Sequence, residues 1–237
     1  MYDRAETAQA NDALWARIKQ NLGYGPEALD RTTACWDIWQ SPDLLLSQTC
    51  GMPYRTKLHG QVQLVGTPDY GLPDVAPGYY YSVLLVRNGD ATDVTAYQDR
   101  TLAYNGPSSQ SGWAAPQNHA RELGFCFEQH LCSGGHLASA VAVANGNADI
   151  AALDAVTWLM ICQYEDIAKR LTVIGRTACT PGLPLITANN QDAGLILAAI
   201  RSAIVEIGPK HRKTLRLNGI VNIPAASYLE VPTPAAP

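Results

Sequence analysis

Asn105-Gly106-Pro107-Ser108-Ser109-Gln110-Ser111-Gly112 is a turn rich in glycine, proline and side-chain hydroxyl or amide groups. It follows the apolar run 101–104, which predicts a short strand, and it precedes a predicted helix over about 113–123. A helix start leaves its first N–H groups without partners inside the helix and carries the positive end of the helix dipole. Serine hydroxyls add donors there, so this stretch predicts a seat for a tetrahedral oxyanion that needs no Lys or Arg. The alternative is that Ser109 or Ser111 only caps the helix.

The composition is that of a folded protein with a large core. The chain has 237 residues, 47% hydrophobic and 16% charged, enough for one large domain or two small ones. Its net charge of −4 argues against nucleic acid as a partner, because phosphate backbones are bound by clustered Lys and Arg. No apolar run approaches membrane-spanning length. The first residues show no signal peptide, so we expect a cytoplasmic protein unless a targeting segment lies outside this sequence.

Strand-like and helix-like patterns alternate along the chain, which is typical of the α/β class. Two β-prone runs, 79–86 and 171–175, bracket about a hundred residues. This arrangement predicts two α/β lobes joined by two strands, with a ligand cleft between them. The first predicted lobe comprises 1–78 and 178–237, and the second is the inserted segment 79–177. The C-terminal segment 231–237 contains three prolines and is expected to be loose.

Two more loops of the predicted second lobe have the same character as the first. Ser133-Gly134-Gly135-His136 precedes a predicted helix, and Asp154 ends the short apolar run 150–153. Two helix starts that face one point would form a strong anion site, to which a neutral or charged His136 could donate. The alternatives are that His136 is a capping or core-edge residue and that Asp154 caps the next helix instead of facing the other end of the ligand.

Residues of the first lobe and of the first crossing strand are candidates for completing the site. Aromatic faces in a cleft can pack on an alkyl chain and close over it. For each tyrosine the alternative is ordinary packing at the hinge. The candidates from the first lobe are Tyr2, Asp3, Ser47, Gln48 and Thr49, and those from the strand are Tyr80 and Tyr81.

The sequence gives little support for catalysis. Cys50, His136 and Asp154 can be combined into a Cys-His-Asp triad, but only closure of the predicted lobes would bring Cys50 near His136. No G-x-S-x-G, Walker A, H-E-x-x-H or G-x-G-x-x-G motif occurs. The six cysteines include no C-x-x-C pair, and we expect them to be reduced and mostly buried. We predict no catalytic residue, no metal and no cofactor.

Three stretches of the chain resemble one family in their order and spacing. The run 104–112 is similar to the serine-rich anion loop of the substrate-binding components of phosphate, phosphite and phosphonate ABC transporters. The run 133–151 resembles the Gly-His helix of that family and the A-V-A-x-G-x-x-D-x-A segment that follows it. The run 77–86 resembles its first hinge strand. The resemblance covers roughly residues 40 to 190.

The resemblance implies a type 2 periplasmic-binding-protein fold, with two α/β lobes and a hinge. It implies a periplasmic location, a permease partner and no catalysis. It also implies that Tyr80 is a cleft residue and that Asp154 lies where the tail of the ligand is read. The residues that it implies for holding a phosphonate or phosphate group are Ser109, Gln110, Ser111 and His136.

Two departures from the family pattern bear on the ligand. Gln110 stands where Ser or Thr is common in the family, and no glutamate near Asp154 matches the one that contacts an aminoalkyl group, which argues against 2-aminoethylphosphonate. We therefore predict a non-enzymatic protein that binds a phosphonate, phosphate or phosphate ester by cleft closure. It would serve an ABC transporter or be a leaderless relative. The alternatives are an enzyme acting on a small phosphorylated metabolite and a cytoplasmic ligand sensor.

Overall fold

A computed structural model describes residues 2–237 of the chain and divides them into two units. The first unit contains the described residues up to Tyr79 together with Pro181–Leu229, and the second contains Tyr80–Thr180 together with Glu230–Pro237. The chain therefore passes from one unit to the other three times. At the first two crossings it forms a separate two-stranded sheet, made of β3 (Tyr79–Tyr80) and β9 (Thr180–Pro181).

The first unit contains a four-stranded antiparallel sheet in the order β1-β10-β2-β11. Its longest strand, β2, pairs with β10 on one side and with β11 on the other, and its central residues are buried. The strands of this sheet are β1 (Ser47–Gln48), β2 (Val62–Asp69), β10 (Leu185–Ala188) and β11 (Gly219–Val221).

Helices cover this sheet and supply most of the first core. Trp15 and Ile18 of α1 pack with Ile200 and Ile204 of α7, because each helix presents apolar residues at helical spacing. The first helix ends at Gly23, whose φ of 80° only glycine adopts without strain. The helices are α1 (Ala5–Leu22), α2 (Cys35–Trp39), α3 (Gly51–Pro53) with a π-helical turn over Tyr54–Leu58, α7 (Ala193–Glu206), α8 (Gly208–Leu215) and α9 (Ala225–Leu229).

The second unit contains a five-stranded mixed sheet in the order β6-β5-β7-β4-β8. Strand β5 runs parallel to β6 and β7, whereas β4 runs antiparallel to β7 and β8. Every residue of β5 and β7 is buried, as expected for strands in the middle of a covered sheet. The strands are β4 (Ser82–Arg87), β5 (Leu102–Tyr104), β6 (His130–Cys132), β7 (Ile150–Asp154) and β8 (Leu171–Arg176).

Each of the three parallel strands of the second unit leads into a helix. The loop after β5 enters a π-helical turn over Gln110–Ala114 that continues into α4 (Ala115–Glu122). Strand β6 leads into α5 (His136–Ala144), and β7 leads directly into α6 (Ala155–Tyr164). Two 3₁₀ turns, over Val94–Tyr97 and Asp166–Arg170, complete the helical structure of this unit.

The C-terminal segment differs from its sequence-based prediction. Glu230–Pro237 belongs to the second unit and not to the first, and it is held there by side chains of the α4 region. The indole Nε1 of Trp113 donates to the carbonyl of Ala235 at 2.9 Å, and Asn118 Nδ2 donates to the carbonyl of Pro232 at 2.9 Å. The prediction of a loose tail was therefore wrong: a proline-rich segment has few N–H donors, but its carbonyl groups remain good acceptors.

Candidate functional site

The loops after β5, β6 and β7 begin at one edge of the second unit's sheet. The register pairs Tyr104 with Cys132 and Ala103 with Ala151, both in parallel strands. Since parallel strands end at the same edge, the serine loop and the Gly-His loop follow strand ends on that side, and Asp154 is the last residue of its strand there. Carboxyl ends of parallel strands are the usual place for ligands in open α/β sheets.

In the serine loop, the two candidate serines have different roles. Ser109 is the residue before the helical turn, and its hydroxyl accepts from the backbone N–H of Gly112 at 2.9 Å. Ser109 is thus a helix cap, which is the alternative that the sequence analysis left open for this residue. Ser111 lies two residues further, inside the first turn, and its hydroxyl contacts His136 instead. Both serines and Gln110 are buried, so any group that reached them would be largely shielded from water.

Ser111 and His136 join two of the predicted loops by a direct contact. Ser111 Oγ and His136 Nε2 share a hydrogen bond of 2.9 Å, in which the donor depends on the imidazole tautomer. His136 is the first residue of α5, after Gly135 in an extended conformation. Because α5 begins there, its first N–H groups have no partner inside the helix and lie next to the imidazole. The structure therefore places a hydroxyl, an imidazole and a helix start together.

His136 is half-buried, and the Nδ1 atom of its imidazole is shielded from water. Burial lowers its pKa from 6.5 to about 4, because burial disfavours the charged form. Of the two states left open by the sequence, burial therefore favours the neutral side chain near neutral pH. Its Nδ1 is buried and has no hydrogen-bond partner among residues 2–237. A neutral imidazole offers one donor and one acceptor, so this pair can donate to an oxyanion without a fixed positive charge.

Two residues that sequence reasoning missed hold the backbone of the serine loop. The hydroxyl of Ser82 donates to the carbonyl of Ser111 at 2.8 Å. Ser82 is in turn bonded to Thr177: its N–H donates to the Thr177 hydroxyl at 3.0 Å, and its carbonyl accepts from the Thr177 N–H at 2.9 Å. Both are buried. The only sequence signal was one polar residue in the apolar run 79–86, because buried polar groups are usually hydrogen-bonded.

A close approach of two residues fixes the shape of the serine loop. A Cβ added to Gly112 would lie 2.0 Å from Asn105 Oδ1 and 3.2 Å from the Asn105 backbone nitrogen. By contrast, a Cβ added to Gly106 of the same loop would have no atom within 4 Å. The loop thus requires glycine at its end but not at its beginning, because only at Gly112 is the space for a side chain already filled.

The structure places Asp154 and the crossing-strand tyrosines in ordinary structural contacts. Asp154 caps α6, since its Oδ1 accepts from the Thr157 N–H at 2.9 Å, and its side chain is buried. Tyr80 is buried, whereas Tyr81 is half-buried with the Arg176 guanidinium 5.3 Å from its ring centroid. The cap proposed as the alternative for Asp154 is present. A ligand role for these three residues stays a prediction.

Two of the candidates from the first unit, Tyr2 and Gln48, contact Tyr70. The ring centroids of Tyr2 and Tyr70 are 4.8 Å apart in an edge-on arrangement, and Gln48 Nε2 donates to the Tyr70 hydroxyl at 3.1 Å. The side chain of Thr49 is fully buried. Its hydroxyl has no hydrogen-bond partner among residues 2–237, and its role in binding stays a prediction.

The arrangement around His136 does not favour nucleophilic catalysis. A serine or cysteine nucleophile needs a base whose other ring nitrogen is oriented by a third group. In the described part of the chain, Nδ1 of His136 has no such partner, and Cys50 belongs to the first unit whereas His136 belongs to the second.

All six cysteines are free, but Cys50 alone is buried, so the expectation of mostly buried thiols was wrong.

Comparison with known proteins identifies the family. The sequence model of a family described as periplasmic substrate-binding proteins of phosphonate ABC transporters matches residues 46–229. No protein of the curated set matches. Across residues 2–237, helices that combine the length and the apolar character of a membrane span are lacking.

Solved structures share the fold at low sequence identity. PhnD1 from Prochlorococcus marinus, solved with methylphosphonate, matches with a TM-score of 0.73 and 12% identity over 95% of this chain and 90% of its own. A binding component of an ABC phosphonate transporter from Pseudomonas aeruginosa matches with a TM-score of 0.65 and 18% identity over 90% and 77%. A Xanthomonas citri protein bound to chloride matches with a TM-score of 0.66 and 15% identity over 94% and 90%.

These matches confirm the predicted α/β class and the two-lobed type 2 binding-protein fold. They also confirm the prediction of a substrate-binding protein and give no support to the enzyme alternative. Because the family model covers most of the chain, this protein belongs to the periplasmic substrate-binding proteins of phosphonate ABC transporters.

Proposed function

We propose that this protein binds a phosphonate, or a related small tetrahedral oxyanion, at the strand ends of its second unit. The observation that carries the proposal is the 2.9 Å contact between Ser111 Oγ and His136 Nε2, which joins the first turns of two helical segments. Both residues lie inside the segment matched by the family model. PhnD1, which shares the fold, was solved with methylphosphonate.

Neutral donors would hold the anion. The Ser111–His136 pair keeps one donor beyond its shared bond, and this donor and the first backbone N–H groups of the two helix starts can donate to phosphonate oxygens. In a dry site such bonds are stronger than in water, which compensates for the lack of a paired cation. Ser109 would contribute indirectly, through its cap on the same turn, and Gln110 would complete the wall of the site.

The remaining predicted ligand residues stay predictions. Asp154, Tyr80 and Tyr81 would line the tail of the ligand, and Tyr2, Gln48 and Thr49 would contribute from the first unit. Closure of the lobes on the ligand likewise stays a prediction. As a member of this family, the protein would deliver its ligand to the permease of an ABC transporter in the periplasm.

Isothermal titration with phosphate, phosphite, methylphosphonate, 2-aminoethylphosphonate and a sugar phosphate tests the proposal. We expect one-to-one binding of at least one phosphonate, and loss of that binding in the double variant Ser111→Ala, His136→Ala. Ser108→Ala is the matched control, because it removes a hydroxyl from the same loop without touching the pair. Equal affinity in the wild type and the double variant, with unchanged circular dichroism, would show that the anion binds elsewhere.

A further inference from the structure

A cavity of about 300 Å³ lies within the first unit. Its inner wall is formed by buried side chains of α1 and α7, among them Trp15, Ile18 and Ile200. Its outer wall contains Asp3, Asp30 and Arg31, which are exposed. The cavity therefore leads from a charged surface region into the apolar core of the unit.

A space of this size in a core is unusual. Protein interiors are close-packed and contain few voids larger than a water molecule. Most of the side chains that line this cavity are aliphatic, and several of them belong to the core cluster around Val65 and Ile220. Leu14, Leu29 and Leu46 are only half-buried there, so they offer apolar surface that the protein itself leaves partly uncovered.

Several polar groups of the wall already have hydrogen-bond partners within the protein. Arg31 Nε donates to Asp3 Oδ2 at 2.5 Å, and Asn11 Nδ2 donates to Asp3 Oδ1 at 2.9 Å. Gln48 Nε2 donates to the Tyr70 hydroxyl at 3.1 Å and to the Leu183 carbonyl at 3.2 Å. A buried water needs two to four polar partners, and these groups offer few, so the cavity suits an apolar occupant better than a cluster of water.

The charges at the outer wall select against an anion. Arg31 is the single cation among those of residues 2–237 that line the cavity, and it is bonded to Asp3 and, at 2.7 Å, to Asp12. Asp30 adds a further carboxylate, whose Oδ1 accepts from the Thr32 and Thr33 backbone N–H groups. Carboxylates thus exceed the cation, and the wall favours a neutral or positively charged group.

We propose that this cavity is a second binding site, for an apolar organic molecule with an uncharged or cationic polar end. At about 30 Å³ for each small group, its volume accepts about ten non-hydrogen atoms, the size of a naphthalene ring. The apolar part lies against Trp15 and Ile200, and the polar end lies near Asp3. The site is distinct from the Ser111–His136 pair, since it uses no residue of the second unit. Tyr2 and Gln48, the ligand residues predicted in the first unit, also lie on the wall of this cavity.

Three probes with one apolar body test this proposal by isothermal titration: 1-naphthylmethylamine, 1-naphthalenemethanol and 1-naphthoate. We expect the amine and the alcohol to bind, and the amine to bind about fivefold more tightly than the carboxylate. Leu29→Trp, which fills the cavity, should abolish binding of all three probes. Leu195→Trp adds the same ring at an exposed position of α7 and should leave binding unchanged.

Asp3→Asn is a second variant, which removes a charge without changing the packing of the core, because Asp3 is exposed. It should reduce the preference for the amine over the carboxylate and leave the affinity for the alcohol unchanged. Circular dichroism shows whether each variant is folded. The proposal is overturned if no probe binds, if Leu29→Trp is folded and binds as the wild type does, or if the carboxylate is preferred.

Discussion

His136 should make the stability of this protein depend on pH in a defined direction. Burial lowers the pKa of its imidazole from 6.5 to about 4 in the folded protein. Between these two values the unfolded chain holds a proton that the folded protein excludes, so stability falls as the pH falls. The contribution of the neutral imidazole to the free energy of unfolding is fully present above pH 6.5 and fully lost below about pH 4. At about 1.4 kcal/mol for each pKa unit, the whole effect is about 3 kcal/mol.

Removing the imidazole should remove this dependence. We expect the free energy of unfolding of the wild type to drop by about 2 kcal/mol more, between pH 7 and pH 5, than that of His136→Gln. Urea denaturation followed by circular dichroism at the two pH values measures both drops. Because the protein has two units, the transition must first be shown to be two-state, or the unit that contains His136 must be resolved.

Ser111→Ala separates burial from hydrogen bonding in this experiment. Burial is the cause of the lowered pKa of His136, whereas Ser111 is its hydrogen-bond partner. The Ser111→Ala variant should therefore keep the extra drop of the wild type, although its unfolding free energy is lower at both pH values. Equal drops in the wild type and His136→Gln would refute the reasoning, because they would mean that the imidazole is solvated.

Two further variants test how the serine loop is held. Gly112→Ala should lower the free energy of unfolding by about 1–3 kcal/mol in urea denaturation, because its Cβ would lie 2.0 Å from Asn105 Oδ1. The Cβ of Gly106→Ala would meet no atom within 4 Å, so this variant should change the free energy of unfolding little. Similar losses in both variants would contradict this account. Trp113→Phe removes the donor to the Ala235 carbonyl and should cost about 1 kcal/mol, with faster release of the C-terminal residues by a carboxypeptidase. An unchanged release rate would show that this bond does not hold the tail.

Local patterns predicted the strand–loop–helix units well, because their signals lie within a few residues of each other. The helix start after Ser109 and the helix start at His136 follow from glycine, serine and the apolar periodicity around them. The tail was mispredicted because its acceptors bond to Trp113 and Asn118, more than a hundred positions earlier in the chain. Composition alone does not contain such pairings.

The helix cap and the proposed ligand site of the serine loop are compatible, because different residues would serve them. Ser109 satisfies the Gly112 N–H, and Ser82 donates to the Ser111 carbonyl, so the backbone of the turn is fixed from both sides. The Ser111 hydroxyl is thereby positioned against His136. A sequence pattern shows which residues begin a helix, but the choice between capping and binding depends on a bond from Ser82, 29 positions away. For this reason the sequence could indicate the candidate site but could not assign capping to Ser109 and a proposed binding role to Ser111.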